Sequence, residues 1–120
     1  NLHITNCQRI IVNGNTFNPR EFERPGRVVF DGCQDCILSN NTFRALLAED
    51  GAVVVKSSTR MSLTDNILTE STSGLRIEES SHVIVKNWIV SLTTPPADGV
   101  WIKSDEASKG IVESGNLMAE

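Results

Sequence analysis

The sequence predicts an all-β solenoid of about five coils with three short strands per coil, and two observations predict it. The first is an asparagine that returns along the whole chain, each time two residues before a large apolar side chain. The second is an apolar residue at every second position between these asparagines, which is typical of strands. A pattern that returns throughout 120 residues indicates a repeat protein. The five asparagines are Asn15, Asn41, Asn66, Asn87 and Asn116.

The first strand of each copy has two inward-facing residues separated by one outward-facing residue. These pairs are Leu2/Ile4, Val28/Phe30, Val53/Val55, Leu75/Ile77 and Val100/Ile102. A second alternating segment follows in every copy, and its inward pairs are Ile10/Val12, Cys36/Leu38, Met61/Leu63, Val83/Val85 and Ile111/Glu113. The glutamate in the last pair suits a terminal copy, because the far side of such a copy has no neighbour to bury against.

The asparagine comes after the second strand and marks a corner. Asparagine tolerates the left-handed backbone that a sharp corner needs, and its amide can hydrogen-bond to the asparagines of neighbouring copies. A brief third strand and a loop to the next copy complete the repeat. Two of these loops are long, at positions 18–25 and 90–98. We expect long loops at one corner to wall a groove.

With its two apolar columns and its asparagine column in one register, the whole chain resembles the right-handed parallel β-helix of the pectate-lyase-like superfamily. The recurring asparagine is similar to the asparagine ladder of that superfamily. We therefore expect residues 1–120 to form one domain, a single-stranded β-helix segment that is a fragment of a longer solenoid. Five coils at a strand spacing of about 4.8 Å leave both ends of the core open. Further coils or another chain are expected to stack at the N-terminal end.

Composition narrows the classes of function. A net charge of −4 argues against a nucleic-acid partner, because nonspecific binding to nucleic acid requires a basic surface. No apolar run approaches the roughly 18 residues of a membrane span. The resemblance implies a polysaccharide partner and a secreted, periplasmic or cell-surface location. It also allows calcium as a cofactor, although no residue pattern selects that ion.

The cysteines fit the repeat. Cys7 and Cys33 each lie three residues after an inward pair, in a column that Ser58, Ser80 and Asp105 continue. Cys36 lies in the apolar column of the second strand, and core packing explains it. Cys33 and Cys36 do not make a convincing redox or zinc pair, because a second ligand pair is absent and their thiols should point in different directions. A disulfide between Cys7 and Cys33 on adjacent coils is geometrically conceivable and stays open.

The resemblance places any chemistry on the outward face of the first strand, since polysaccharide binds along that face in the superfamily. Two outward columns follow from the alternation of inward and outward residues. The first column contains His3, Val29, Val54, Arg76 and Trp101. The second column contains Thr5, Asp31, Lys56, Glu78 and Lys103.

The leading functional hypothesis is a polysaccharide lyase that acts by β-elimination on a uronic-acid polymer. Lys56 and Arg76 on adjacent coils would hold the substrate carboxylate, and Lys56 would abstract the proton at C5 of the sugar. A lysine and an arginine about one coil apart are similar to the pair in alginate lyases and chondroitinase B. Glu78 stands where that match would need arginine, and it is the third candidate catalytic residue. The candidate substrate-binding residues are Trp101, Lys103, Asp31 and His3.

Three alternatives stay open. The outward charges at positions 31, 56, 78 and 103 alternate in sign, so they also fit a structural ladder worth a fraction of a kcal/mol per pair. An inverting glycoside hydrolase would use Asp31 and Glu78, which two coil spacings separate by roughly 9 to 10 Å. The third alternative is a noncatalytic β-helix for binding, adhesion or structure, as in tailspike shafts and cell-surface proteins. An open groove between long loops favours an enzyme, and a flat or filled face favours such a module.

Overall fold

The computed structural model describes residues 2–17 and 26–119, and every regular element in this part of the chain is a strand. Each of five successive repeats contributes three strands. The first strands are β1 (Leu2–Thr5), β4 (Val28–Asp31), β7 (Val53–Lys56), β10 (Leu75–Glu78) and β13 (Ile102–Ser104). The second strands are β2 (Ile11–Asn13), β5 (Gln34–Ser39), β8 (Thr59–Thr64), β11 (Ser81–Lys86) and β14 (Lys109–Ser114). The third strands are β3 (Thr16–Phe17), β6 (Thr42–Arg44), β9 (Ile67–Ser71), β12 (Ile89–Leu92) and β15 (Leu117–Ala119).

Equivalent strands of successive repeats pair in parallel, so the chain winds around three five-stranded sheets. Sheet A contains the first strands, sheet B the second strands and sheet C the third strands, and in each sheet the strands lie in chain order. This architecture confirms the predicted all-β solenoid with three short strands per coil. Within the described residues, no helix is long and apolar enough to cross a membrane.

The three sheets enclose one apolar core, which contains the inward residues that the alternation predicts. In sheet A the inward residues of β4, β7 and β10 are at most 1% exposed, and those of β1 are partly buried against them. In sheet B the predicted pairs also align, and Glu113 lies opposite Val85 in the apolar column. Glu113 is exposed. Removal of these apolar surfaces from water is the main source of stability, at about 25 cal/mol per Å².

The fifth repeat departs from the predicted register of sheet A. Leu75 pairs with Ile102 and Ile77 with Ser104, so the predicted inward pair of Val100 and Ile102 is wrong by two residues. Val100 is 44% exposed. The loop before β13 extends to residue 101, because β13 begins only at Ile102, and an alternating pattern cannot detect where an irregular loop ends.

The asparagine ladder at the corner between sheets B and C is confirmed in its hydrogen bonds. The buried side chain of Asn41 donates to the Val12 carbonyl oxygen at 2.9 Å and accepts the Asn15 backbone N–H at 2.9 Å. Asn66 repeats both contacts one coil further on, with the Leu38 carbonyl and the Asn41 N–H. Each amide therefore satisfies a donor and an acceptor that the bend of the chain would leave unpaired inside the protein.

The ladder position of the fourth repeat is Trp88, and the predicted assignment to Asn87 is wrong. Ile89 pairs with Ile67 and Leu117, which aligns Trp88 with Asn66 and Asn116. The indole N–H of Trp88 donates to the Leu63 carbonyl oxygen at 3.0 Å and so replaces the amide donor of asparagine.

At this corner, the residue with a left-handed backbone conformation is the one immediately before the ladder residue. It is Asn87 in the fourth repeat, with φ of 57°. The equivalent residues of the second and third repeats, Asn40 and Asp65, also have positive φ. Asparagine thus serves the corner in two ways, and the repeated asparagine of the ladder supplies hydrogen bonds at a position that does not have a positive φ.

The corner between sheets A and B carries a second ladder, made of small side chains. The Cys33 N–H donates to the Ser58 hydroxyl at 3.0 Å, and the Ser58 N–H donates to the Ser80 hydroxyl at 3.1 Å. The Ser80 N–H donates to Ser108 at 3.2 Å, so Ser108 continues the column in place of the predicted Asp105. Cys33 therefore occupies a small-residue position, as predicted.

Candidate functional site

An open cleft of about 780 Å³ lies over sheet A at the fourth and fifth repeats. Residues of β10 and β13 form its floor, and its walls come from the loops that precede β7, β10 and β13. The long loop predicted at 90–98 is one of these walls, although it begins only after β12 ends at Leu92. The other long loop, at 18–25, lies outside the described residues.

Two glycines allow the walls to approach the floor closely. A Cβ at Gly74 would lie 2.2 Å from the Trp101 carbonyl oxygen, so only glycine permits this contact. Gly51 has φ of +103°, and a Cβ there would lie 2.9 Å from the Cβ of Arg76. The backbone holds the same junction together, because Leu75 N–H donates to the Trp101 carbonyl at 2.9 Å.

Trp101 lies at the base of the cleft, and its predicted outward position in sheet A is wrong. Its side chain belongs to the apolar core, and the residue is only 8% exposed. The ring packs on Trp88 with centroids 5.6 Å apart, and Trp88 in turn stacks on Phe43 at 6.1 Å. The register shift of β13 places Trp101 before the strand, next to Gly74, where a large side chain has room to turn inward. Trp101 still lines the cleft.

Arg76 is the central charge of the cleft. Its guanidinium forms a salt bridge with Asp50 at 3.2 Å and another with Glu78. In sheet A, Arg76 lies directly opposite Lys103, so two cations stand in one outward column on adjacent repeats. The prediction assigned Lys103 to the other outward column, and the shift of β13 corrects this.

Asp105 completes the charged lining at the end of β13. It accepts the Ser108 hydroxyl at 2.7 Å and the Glu79 backbone N–H at 3.1 Å. These hydrogen bonds, the one from Ser108 first, hold the pKa of the Asp105 carboxyl below its usual value. A carboxylate that accepts several hydrogen bonds stays ionised and keeps a fixed orientation.

Four of the seven predicted site residues come together in the cleft, namely Arg76, Glu78, Trp101 and Lys103. The other three lie outside its lining. Lys56 aligns with Asp31 on one side and Glu78 on the other, which confirms the register of the alternating charges in these three repeats. His3 lies in β1, three strands away from β10 in sheet A. Asp31 and Glu78 are separated by β7, and only Glu78 contacts the cleft.

Glu49 and Asp50 line the cleft and were missed as candidates. They lie in the loop before β7 and immediately before Gly51. Their sequence signal is an acidic pair next to a glycine at the third corner, where this architecture places groove walls. The alternation of strand residues does not extend into loops, so it could not assign these side chains to the face of Arg76.

The arrangement can bind a polar chain through charged groups that two adjacent repeats hold in place. Four carboxylates and two cations line the cleft, and Arg76 is flanked by carboxylates on two sides. The cations can hold a carboxylate or a hydroxyl, and the carboxylates can accept hydrogen bonds from hydroxyls. The volume lies within the range of about 300 to 1,000 Å³ that is usual for ligand sites.

Comparisons with known proteins agree with this fold. The model of a family described as periplasmic copper-binding protein (NosD) matches residues 1–116. A comparison with curated proteins finds no match. Among solved structures, the chain is similar to a protein from Parabacteroides merdae described as a "putative glycosyl hydrolase", with a TM-score of 0.62 and 13% identity. The similarity covers 78% of this chain and 40% of that one, and at this identity it shows the fold alone.

Copper, which the family description names, prefers thiolate, thioether and imidazole ligands that converge on one point. In the part of the chain that the structure describes, no group of three His, Cys, Asp or Glu side chains could hold a metal ion. The thiols of Cys7, Cys33 and Cys36 each contact a backbone carbonyl instead. The described His, Cys, Asp and Glu side chains therefore do not form a cluster that fits a copper centre.

Proposed function

The chain belongs to the NosD family, and from this premise we propose that it is a carbohydrate-active β-helix of the periplasm that binds a polysaccharide in the cleft over β10 and β13. The observation that carries the proposal is the cleft itself. It is open, it runs over two adjacent coils, and it combines aligned cations, carboxylates and an aromatic base. The resemblance to the pectate-lyase-like superfamily supports the same face, because polysaccharide binds along the first strands there.

Sugar recognition needs fixed hydrogen-bonding groups and an apolar surface for the ring. Glu78 is held by Arg76, and Asp105 is held by Ser108 and the Glu79 N–H. Pre-organised partners of this kind reduce the entropy that is lost on binding. Val100 is 44% exposed and lines the cleft, where it supplies an apolar surface for a sugar ring, and the buried Trp101 supports the base of the cleft from the core.

The reaction that the arrangement supports best is β-elimination on a uronic-acid polymer. Arg76 would exchange its exposed contact with Asp50 for the sugar carboxylate next to C5, and the neutral amine form of Lys103 would accept the C5 proton. The C5–H electron pair would form the C4–C5 double bond as the bond from C4 to the leaving oxygen breaks, and the leaving oxygen would take a proton from water. The specific observation in favour is that Lys103 stands one coil from Arg76 in the same outward column. In this proposal Lys103 takes the role of base that the sequence pattern assigned to Lys56, because Lys56 does not line the cleft.

Binding can be tested with a matched pair of lysine variants. We expect Lys103→Ala to weaken binding of polygalacturonate or alginate by about tenfold or more, since it removes a cation from the cleft. Lys56→Ala removes the same charge from the same sheet outside the cleft, and we expect its affinity to stay within about twofold. Isothermal titration calorimetry at moderate salt measures both. Equal losses in the two variants, or no binding of any polysaccharide by the wild-type chain, would contradict the proposal.

The reaction has a separate readout. A lyase creates a carbon–carbon double bond in its product, which absorbs in the ultraviolet, and we expect this absorbance to appear with a uronic-acid polymer. Lys103→Ala should abolish product formation, while Lys56→Ala should retain it. Binding without unsaturated product would instead favour a noncatalytic carbohydrate-binding module.

A further inference from the structure

Cys7 and Cys33 occupy the same corner position on neighbouring repeats. The pairing of Thr5 with Asp31 before the corner and of Gln8 with Gln34 after it keeps the two repeats in register on both sides of the cysteines. Neighbouring strands are about 4.8 Å apart, and the Cα atoms of a disulfide are usually 4.4 to 6.8 Å apart. The Gln34 N–H donates to the Cys7 carbonyl at 2.9 Å, so the two corners are adjacent, and we expect a Cα separation within the range that a disulfide needs.

The sulfur of Cys33 leans towards the first repeat. Its thiol lies 3.4 Å from the Ile4 carbonyl oxygen in that repeat and 3.7 Å from the Asp31 carbonyl in its own. Burial raises the pKa of the Cys33 thiol, and the nearby backbone N–H of Cys7 partly offsets this rise. The Cys7 thiol donates to the Thr5 carbonyl at 3.1 Å, two residues back along its own chain. The Cys33 sulfur thus faces the first repeat, and formation of the bond requires side-chain rotation at Cys7 away from the Thr5 carbonyl.

We propose that Cys7 and Cys33, which are free thiols in this structure, form a disulfide that joins the first and second repeats. Cys36 is excluded as the partner by its position. It lies one strand further on, in the apolar column of sheet B opposite Met61, and its thiol donates to the Gln34 carbonyl at 3.3 Å. The bond would close a loop that includes the segment 18–25.

The bond forms by thiol–disulfide exchange with an external disulfide, such as oxidised glutathione or a protein disulfide. Cys7 is the partly exposed thiol, and its thiolate attacks that disulfide and releases one thiol. The Cys33 thiolate then attacks the Cys7 sulfur of the mixed disulfide and releases the second thiol. Two protons and two electrons leave the protein, and the external disulfide is reduced to two thiols.

The second step requires the thiolate of Cys33. Cys33 is buried, and burial raises the pKa of its thiol, so little thiolate is present. Closure should therefore speed up as the pH rises. A disulfide at this corner would hold β1 against β4 and would resist unfolding of the first repeat.

The test counts free thiols. The 120-residue chain is incubated with a glutathione redox buffer, denatured, alkylated with iodoacetamide and weighed by intact-mass spectrometry. We expect one label in the oxidised wild-type chain, on Cys36, and three after reduction. Cys36→Ala is the control that retains the pair, and it should take no label when oxidised. Cys33→Ser should take two labels, and serine suits that position because Ser58 and Ser80 occupy it in the next repeats.

Stability provides the second measurement. Oxidation of the wild-type chain should raise its Tm by about 5 to 10 °C, and oxidation of Cys33→Ser should not change it. Circular dichroism of each variant establishes that it is folded. Three labels in the folded, oxidised wild-type chain would overturn the proposal. So would a link from Cys7 to Cys36 as the main product, which a digest of the unreduced protein reveals.

Discussion

At the scale of single residues, polar groups at the corners decide whether the chain can bend inside a protein. Asn41 does this with an amide that reaches both neighbouring repeats, and the amide of Asn66 bonds to the Leu38 carbonyl and the Asn41 N–H of the second repeat. Trp88 does it in the fourth repeat with an indole N–H, and its ring also fills core volume. Only the donor of the amide is replaced, because the ladder oxygens accept an N–H from the preceding repeat and an indole has no acceptor to offer there.

The asparagine ladder predicts a large effect from one amide. We expect Asn41→Ala to lower the free energy of unfolding by about 2 to 4 kcal/mol, because the Val12 carbonyl and the Asn15 N–H would lose their partner. Asn13→Ala removes an exposed amide from the same corner, and we expect it to cost less than about 0.5 kcal/mol. Urea denaturation followed by circular dichroism measures both. Similar losses in the two variants would show that the ladder does not carry this stability.

The lowered pKa of Asp105 predicts that the stability of the folded chain depends on pH. Its folded pKa is lower than the usual 3.8, so its contribution to stability is fully present above pH 3.8 and is lost as the pH falls through the folded value. Asp105→Asn lacks this titration. We therefore expect the urea midpoint of the wild type to exceed that of the variant at pH 7 and to converge on it below pH 3.8. A difference that stays constant between pH 7 and pH 3 would contradict this.

At the scale of elements, the loops rather than the strands position the cleft. The strands of sheet A present outward columns along the solenoid, and the loops before β7, β10 and β13 wall this face at the fourth and fifth repeats. The walls meet the floor at Gly74, where the loop before β10 touches the start of β13. The irregular loop before β13 also sets the register that brings Lys103 opposite Arg76.

The tight packing at Gly74 predicts that an added Cβ lowers the stability of this junction. Gly74→Ala would place a Cβ 2.2 Å from the Trp101 carbonyl oxygen, and relief of that clash must move backbone. We expect a loss of about 2 kcal/mol or more, with weaker polysaccharide binding, because β13 would shift. Gly14→Ala is the control. A Cβ added at Gly14 would have open space around it, so the variant tests only the strain of an alanine at a φ of +71°. It should cost about 1 kcal/mol and leave binding unchanged. Denaturation and calorimetric titration separate the two effects.

At the scale of the whole molecule, each repeat is stabilised mainly by its neighbours. Sheets A and B each contribute two inward columns to the core, and ring contacts from Phe17 through Phe43 and Trp88 to Trp101 connect four of the five repeats. Nearest-neighbour stacking makes a central repeat more sensitive to a lost side chain than a repeat with one covered side.

Two identical substitutions test this. Leu63→Ala in β8 removes a fully buried side chain between two repeats, and we expect a loss of about 3 to 5 kcal/mol. Leu2→Ala in β1 removes a partly buried side chain that has a neighbouring strand on one side only in sheet A, and we expect less than half of that loss. Thermal and urea denaturation give both values. Equal losses would indicate that the cost of losing a leucine side chain does not depend on the position of its repeat in the solenoid.

Much of the fold could be predicted because every repeat must bury the same face of each strand, so the same alternation of apolar residues occurs several times in the sequence. Four of five inward pairs of sheet A and the column of sheet B are confirmed, since alternation along a strand reflects burial on one face. The spacing of the repeats also contained evidence against the assumed register. In the observed register, the ladder residue lies 11 positions after the second inward residue of sheet A in each of the first four repeats, counted from Ile4, Phe30, Val55 and Ile77. The assumed register gave 10 positions in the fourth repeat and 14 in the fifth.

The candidate site could be predicted only in part. Arg76 and Glu78 lie on a regular strand, and alternation was enough to turn them outward. Trp101 and Lys103 follow an irregular loop, so their columns depended on an end point that no local pattern marks. Asp50 approaches Arg76 from a loop 26 residues earlier in the chain. A contact of that kind depends on how loops fold over the coil.

By itself, the sequence determined the class of the fold, the three strands per coil, the apolar core columns and the presence of an asparagine ladder. These features follow from side-chain periodicity, which short-range geometry imposes on every strand. Only the tertiary structure decided that Trp88 takes the ladder position, that Trp101 turns into the core, and that Lys103 faces Arg76 across adjacent repeats. Those outcomes depend on loop lengths and on packing between residues far apart in the chain, and periodicity carries no information about either.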